Sequence, residues 1–317
     1  MTAEHRLTVR VHAIAFETDA VRQLELRDPE ARLLPSFTPG AHIDVTLQDG
    51  VVRSYSLIGD TLDTTRYVLG VQREPQGRGG SRLIHEQLRV GALLKVSRPT
   101  NNFPLRENAP ASIFIAGGIG ITPILPMADR LAVLGRPFVL YFGARERNTA
   151  PFLSRLAKHG DKVRISFSRA PGGRRVDISA IVAVAPADAE LYCCGPSGML
   201  DTFAAATSGR DPARVHVEYF SATEPPAVEG GFRVTLARSG RTIPVPPSMT
   251  ILDALIAAGL EPPCSCLEGV CGTCETRVIE GLPDHRDRVL SPQERAANKT
   301  MMLCCSGSKS ELLVLDM

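Results

Sequence analysis

The chain has 317 residues, 44% hydrophobic and 22% charged, with a net charge of +2. That length allows two or three domains, each with its own core, while the near-neutral balance gives no electrostatic footprint for nucleic acid and 5% aromatics without Trp supply no base-stacking platform. The nearest approach to a membrane span, residues 111–128, is interrupted by Gly117, Gly118, Gly120, Pro123 and Pro126, so no membrane association is expected. The opening MTAEHRLTVRVHAIAFET alternates like a strand and lacks the apolar core of a signal peptide. A cytoplasmic, reducing compartment is therefore expected, with the eight cysteines free of a disulfide framework.

From residue 7 to about 100, short β-rich runs are separated by turns: Leu7 to Ala15, Val21 to Leu26, His42 to Thr46, Val51 to Leu57 and Tyr67 to Val71. This pattern predicts a small antiparallel barrel. Between about 108 and 222, buried strand-like segments at Ser112 to Ala116, Phe138 to Gly143, Val163 to Ser168 and Glu190 to Cys194 alternate with helical stretches, which predicts a parallel sheet. Ser221 to Gly231 is rich in Pro, Gly and acidic residues and reads as a linker. Beyond it, a hairpin is expected over Phe232 to Val245. A helix then follows from Thr250 to Ala258, with Thr250 as its cap, Asp253 three residues on and Gly259 at its end.

Several motifs on this framework carry chemistry. Arg53-Ser54-Tyr55-Ser56-Leu57 alternates, placing Arg53, Tyr55 and Leu57 on one face and the serines on the other; a plain half-buried strand is the alternative. Gly77-Arg78-Gly79-Gly80-Ser81 leads into an expected helix from Ser81 to Leu88, with Ser81 as a plausible cap, where backbone N–H groups would suit a phosphate or simply form a surface turn. Gly117-Gly118-Ile119-Gly120-Ile121-Thr122-Pro123 links a strand to a helix from Pro123 to about Leu134. It suits a diphosphate, or a tight turn needed only for packing, and is not the G-x-G-x-x-G fingerprint. Cys193-Cys194-Gly195-Pro196 ends a later strand before a helix from Ser197 to Ala205, so both turns would open on one crevice at the carboxyl ends of the strands.

Near the C-terminus, Cys266, Cys271 and Cys274 form a C-x4-C-x2-C run, with Cys304 further on in the apolar, strand-like segment Met301 to Cys305. This is the ligand pattern of a plant-type [2Fe–2S] centre; zinc favours paired C-x2-C knuckles, and ordinary buried thiols are the remaining alternative. Gly269 and Gly272 suit a loop that curls around a cluster and turns N–H groups toward its sulfurs. Cys305 competes with Cys304 as the fourth ligand, and Cys304 is preferred; Cys193, Cys194 and Cys264 need not be ligands. The tetrad Asp284-His285-Arg286-Asp287 reads as a structural polar turn.

Together these sites resemble the phthalate dioxygenase reductase family, flavin and iron–sulfur reductases that serve Rieske oxygenases such as phthalate dioxygenase and vanillate demethylase. The matching strings run nearly the whole chain in order: RSYSL at 53–57, GRGGS at 77–81, FPL at 103–105, AGGIGITP at 116–123, YCCGP at 192–196, VHVEYF at 215–220, the cysteine run at 266–274 and DHRDRVL at 284–290. The resemblance implies a multidomain α/β and β protein. An FMN-binding antiparallel β-barrel would occupy 1–105, a ferredoxin reductase-like NAD(P)-binding parallel sheet 106–222, a linker 223–231 and a plant-type ferredoxin domain of β-grasp fold 232–317. It further implies that Arg53, Tyr55 and Ser56 meet the flavin, that Gly79, Gly80 and Ser81 hold its phosphate in the FMN rather than the FAD manner, and that Phe220 closes the flavin site. Gly118, Gly120 and Thr122 would receive the dinucleotide, with Cys194 and Gly195 near the nicotinamide. Ser56, Thr122, Cys194 and Glu218 would orient the reacting groups. Ser168 and Arg169, followed by Arg174 and Arg175, depart from the acidic ending common in NADH users, leaving NADH and NADPH both open.

The implied activity is electron transfer from NAD(P)H through FMN to the [2Fe–2S] cluster and on to a Rieske-type aromatic-ring or O-demethylating oxygenase, by a monomer. A cytochrome P450 or another monooxygenase is the alternative acceptor; simple flavin reductase activity without a protein partner is an alternative activity, which leaves the fused cluster domain unexplained. A redox sensor is the reading of another class, and no DNA-reading helix or basic stripe accompanies it.

Overall fold

The structure is a computed structural model describing residues 6–47, 51–75, 79–220 and 225–317. Gly77 and Arg78 of the first glycine loop and the start of the expected linker lie outside the described residues. The chain forms two compact units, Arg6–Glu218 and Tyr219–Met317.

The first unit opens with β1 (Arg6–Thr18), β2 (Val21–Arg27), β3 (His42–Thr46), β4 (Val52–Ser56), β5 (Tyr67–Gln72), the short helix α1 (Gly80–Glu86) and β6 (Leu93–Ser97). These strands pair antiparallel in the order β4-β3-β6-β1-β2-β5. An isolated Leu57 to Leu69 bridge joins the two ends of the sheet, and breaks in register between Val11 and Ala13 and between Phe16 and Thr18 let the long β1 bend. Alternate residues then meet inside: Val9, Val11, Leu24, Leu26, Ile43, Val45, Leu57, Leu69, Val71 and Val96 form the barrel core.

A parallel sheet follows, built from β7 (Ser112–Gly117), α2 (Ile121–Val133), β8 (Phe138–Ala144), α3 (Leu153–Leu156), β9 (Val163–Phe167), α4 (Ile178–Val184), β10 (Glu190–Cys194), α5 (Ser197–Ala206) and β11 (Val215–Glu218). Its order is β11-β10-β7-β8-β9. The chain therefore winds outward from β7 to β9 and crosses back to β10, so the reversal falls between the neighbours β7 and β10. Every residue of β7 and β10 is buried, as strands covered on both faces require. The core beneath this sheet takes in Val21, Ile58, Val68 and Phe103 from the barrel side, and Arg155 donates to the Ile58 carbonyl, which explains why barrel and sheet form one unit.

The second unit contains β12 (Phe232–Leu236), β13 (Thr242–Val245), α6 (Ile251–Ala257), β14 (Glu275–Glu280), β15 (Pro283–Asp284), α7 (Pro292–Ala297), β16 (Thr300–Met302), β17 (Gly307–Ser308) and β18 (Leu312–Leu315). The order β13-β12-β18-β14-β16, with β12 and β18 parallel at its centre, is a β-grasp sheet, and α6 packs against it through Ile251, Leu252, Ala254 and Leu255. Thr250 caps α6 in a reciprocal box with Asp253, 3.1 Å in each direction. The loop between α6 and β14 carries Cys266, Cys271 and Cys274.

Two local expectations are corrected. The cap of α1 is Gly79, not Ser81, because the Ser81 hydroxyl accepts instead from the Glu74 N–H at 3.0 Å. The strand expected over Met301 to Cys305 stops at Met302, and Cys304 and Cys305 lie in a turn, so strand alternation does not distinguish them. β11 escapes a reading by alternation because it has four residues, and β6 because its apolar Leu93 is exposed beside Leu94. No helix among the described residues is long and apolar enough to cross a membrane.

Candidate active site and metal centre

At the reversal between β7 and β10, two turns lie backbone against backbone. A Cβ on Gly120 would fall 2.3 Å from the Cys194 carbonyl oxygen and 2.7 Å from the Gly195 nitrogen, and one on Gly195 would fall 3.1 Å from the Gly117 nitrogen. Only glycine permits that approach. Gly118, by contrast, has φ +54° with open space where a side chain would stand, so its backbone is available to an incoming group. Thr122, 2% exposed in the first turn of α2, donates its hydroxyl to the Ile119 carbonyl at 2.8 Å and so braces the turn from within.

Beside this crevice the Cys194 thiol lies 4.0 Å from the Glu218 carboxylate on the neighbouring β11. Burial raises the Glu218 pKa to about 8 and pushes the Cys194 thiol well above its ordinary value, with Glu218 adding to the latter. Both groups therefore hold their protons at neutral pH. Thr122, Cys194, Gly195, Gly120 and Glu218 are thus gathered at one place.

The barrel reaches the same crevice through β5. A Cβ on Gly70 would meet the Thr122 methyl at 2.9 Å and the Phe152 ring at 2.8 Å, an approach that nothing in the sequence marks except a glycine within a strand. In β4, Tyr55 packs against the barrel core, and its hydroxyl pKa is pushed up by burial. Ser56 is buried, and Ser54 on its face donates to Asp44 at 2.6 Å. Arg53 lies along Gly80, whose missing Cβ would stand 2.8 Å from the guanidinium Nε. The arginine motif and the glycine loop, 27 positions apart, thus meet directly. Ser168 and Arg169 continue from β9, their N–H groups donating to the Ala144 and Arg145 carbonyls; Arg169 pairs with Glu146 at 3.6 Å. Phe220 belongs to the other unit and is exposed.

In that second unit, Cys266, Cys271, Cys274 and Cys304 come together. Among the described residues no three His, Cys, Asp or Glu side chains gather around a single ion. Cys266 has Cys271 and Cys304 as sulfur neighbours, and Cys304 has Cys274 and Cys305 as well, a spread that suits two irons with two thiolates each. Hydrogen bonding with Cys271 and then Cys304 holds the Cys266 thiol far below its ordinary pKa, aided by the Val270 and Glu268 N–H groups at 3.5 and 3.3 Å, and the same bond pushes Cys271 up. Two backbone donors thus converge on the Cys266 sulfur. Cys305 is buried, and its sulfur is directed at Gly269, where a Cβ would stand only 2.3 Å away.

Residues 234–308 match the 2Fe-2S iron-sulfur cluster binding domain family. The phenoxybenzoate dioxygenase subunit beta of Ectopseudomonas oleovorans is 56% identical over 98% of this chain and 97% of its own length. The solved structure of phthalate dioxygenase reductase, described as a modular structure for electron transfer from pyridine nucleotides to [2Fe–2S], is 35% identical with a TM-score of 0.78, covering 99% of this chain and 98% of that one. The chain belongs to the phthalate dioxygenase reductase family. An intact type IV self-sufficient cytochrome P450 monooxygenase contains a similar arrangement, with a TM-score of 0.86 and 40% identity; 98% of this chain is covered, but only 41% of that one.

As a phthalate dioxygenase reductase homologue the protein is an oxidoreductase with a [2Fe–2S] centre and sites for flavin and pyridine nucleotide. The residues present fit all three groups. Four thiols with two N–H groups aimed at one of them suit the cluster, an arginine lying on a glycine suits a phosphate, and a glycine turn open at Gly118 suits a diphosphate.

Proposed function

We propose that the protein is the reductase component of an oxygenase system, taking electrons from NADH, with NADPH as a possible donor, through FMN to its [2Fe–2S] cluster and on to a Rieske-type aromatic-ring or O-demethylating oxygenase. The observation that carries this reading is the occurrence, in one chain, of a glycine-lined crevice at the sheet reversal and a four-thiol site in a β-grasp unit. We assign the flavin domain to residues 1–105, the nucleotide domain to 106–222, the linker to 223–231 and the ferredoxin domain to 232–317, and infer that the protein acts as a monomer in the cytoplasm.

When bound, the nicotinamide supplies a hydride, and the flavin and cluster pass its two electrons on singly. In this reading Arg53, with Gly79, Gly80 and Ser81, holds the flavin phosphate, Tyr55 packs on the ring system, Ser56 orients it and Phe220 closes the site. Gly118, Gly120 and Gly195 hold the dinucleotide. Thr122, Cys194 and Glu218 position the nicotinamide, the last two as neutral groups, so no fixed charge faces the transferred hydride. Ser168 and Arg169 meet the adenosine ribose. Cys266, Cys271, Cys274 and Cys304 hold the cluster. With so little proton transfer required, alignment of the bound groups governs the rate.

Cys271→Ser provides the test. Reduction of the oxygenase should be lost while flavin-level reduction of ferricyanide by NADH survives; equal loss of both would contradict the carrier order. Running the assay with NADH and NADPH side by side settles the donor. The likeness to the self-sufficient P450 favours a second acceptor class, so a P450 belongs in the same transfer assay.

A further inference from the structure

The tetrad Asp284-His285-Arg286-Asp287 lies behind the cysteine loop and has no part in the function assigned above. Asp287 is 1% exposed, and its Oδ2 accepts from the Val289 and Leu290 N–H groups at 3.0 and 2.8 Å. Its Oδ1 has no hydrogen-bond partner among the described residues, and neither has His285 Nδ1, 3.8 Å away. Arg295 donates to the Asp287 carbonyl and keeps a guanidinium nitrogen 3.8 Å from Oδ2. A buried carboxylate with one unsatisfied oxygen is a costly way to close a turn.

What that turn touches gives the reason. The Arg288 N–H donates to the Gly269 carbonyl at 2.8 Å, and Gly269, at φ +67°, has no space on its Cα: a Cβ would stand 3.0 Å from Asp287 Cα, 3.2 Å from Asp287 Cβ and 2.3 Å from Cys305 Sγ. Gly269 is therefore clamped between Asp287 and Cys305. On either side of it, Glu268 and Val270 are the residues whose N–H groups point at Cys266 Sγ. Hydrogen bonds to ligand sulfur favour the form carrying more negative charge, which is the reduced cluster.

We propose that Asp287 is a positioning residue for the cluster: by fixing the 287–290 turn against Gly269, it holds the Glu268 and Val270 N–H groups on the Cys266 sulfur and so raises the cluster's reduction potential. This rests on the assignment of Cys266 as an iron ligand, and the experiment separates the two. Iron and acid-labile sulfide are first measured in the full-length wild-type protein; a chain without two of each overturns the ligand assignment itself. The cluster potential is then measured by EPR-monitored titration in wild type, Asp287→Ala, Asp287→Asn and Gly269→Ala. Asp287→Ala and Gly269→Ala should each shift the one-electron equilibrium about tenfold against reduction, about 59 mV, with altered g-values. Asp287→Asn, which keeps an acceptor for Val289 and Leu290, should restore most of the loss. An unchanged potential in Asp287→Ala alongside a lowered melting temperature would make the residue merely structural and overturn the proposal. A shift toward easier reduction, the result of losing a negative charge alone, would overturn it equally. Should Asp287→Ala not accumulate, the comparison of Gly269→Ala with wild type carries the same two outcomes.

Discussion

Two glycines two residues apart in the nucleotide turn should respond in opposite ways to the same added methyl. In Gly120→Ala the new Cβ would stand 2.3 Å from the Cys194 carbonyl oxygen and 2.5 Å from its carbonyl carbon, both backbone atoms of a fully buried strand. Reaching ordinary contact requires the 118–120 turn to move away from the end of β10 by roughly 1 Å, and overpacking of this kind costs about 3 kcal/mol at the upper end of its usual range. In a unit the size of Arg6–Glu218 that lowers the melting temperature by about 6–12 °C. Gly118→Ala meets no atom within 4 Å, so its cost is the left-handed backbone alone, about 1 kcal/mol. Its methyl instead occupies the space assigned to the dinucleotide. KM for NADH in ferricyanide reduction should therefore rise about tenfold, equivalent to about 1.4 kcal/mol, with the melting temperature within about 4 °C of wild type. Scanning calorimetry and NADH saturation curves on both variants decide it. Equal thermal losses, or a stable Gly120→Ala, would refute the close approach of the two turns; an unchanged KM in Gly118→Ala would refute the diphosphate site.

Arg53→Ala should retain the barrel but release flavin on gel filtration, because a charge-assisted bond to phosphate contributes about 1.5–3 kcal/mol, or about ten- to a hundredfold in affinity; full retention would remove Arg53 from the site. Cys304→Ser should lose most cluster absorbance whereas Cys305→Ser keeps it, and the reverse pattern would exchange the two assignments. Glu218 makes stability depend on pH: its folded pKa of about 8 lies above the unfolded value of about 4.3, so the folded state binds the extra proton between them. The stability gained from this group is complete below about pH 4.3 and declines by about 1.4 kcal/mol per pH unit as the pH rises toward 8, where the loss levels off. Urea midpoints for wild type and Glu218→Gln from pH 5 to 9 should diverge accordingly, and parallel profiles would contradict the burial of the carboxyl.

Much of the fold was legible because its signals are local. His42–Thr46 and Glu190–Cys194 begin and end where alternation and apolar runs place them, and Thr250 with Asp253 forms the capping box that its spacing announces. β11, a four-residue edge strand, is too short for a period to emerge, and in β6 the exposed Leu93 beside Leu94 obscures the alternation. Ser81 was misread as a cap because the sequence shows the hydroxyl but not its competing donor, the Glu74 N–H, seven residues earlier. The preference for Cys304 over Cys305 comes from the family resemblance, and the segment expected to be extended to Cys305 ends three residues earlier, at Met302. In the structure Cys304 lies beside Cys266, Cys274 and Cys305, while the Cys305 sulfur is also close to Gly269, so the choice of ligand falls to the serine variants.

The same asymmetry explains why the candidate site was readable as a set of motifs but not as a mechanism. Glycines at 70, 80, 120 and 269 are visible in any listing of residues, yet each is required by a partner distant in sequence: Thr122 with Phe152, Arg53, Cys194, and Asp287 with Cys305. A glycine announces that something comes close without saying what. At 70, 80 and 120 the partners include the assigned binding machinery, Thr122, Arg53 and Cys194, whereas at 269 Asp287 and Cys305 brace it from behind. Substitutions at these four positions should therefore separate by the atom they meet. A flexible side chain, as at Gly80, can yield with little loss of stability and a large loss of binding, while rigid backbone, as at Gly120, must lose stability first.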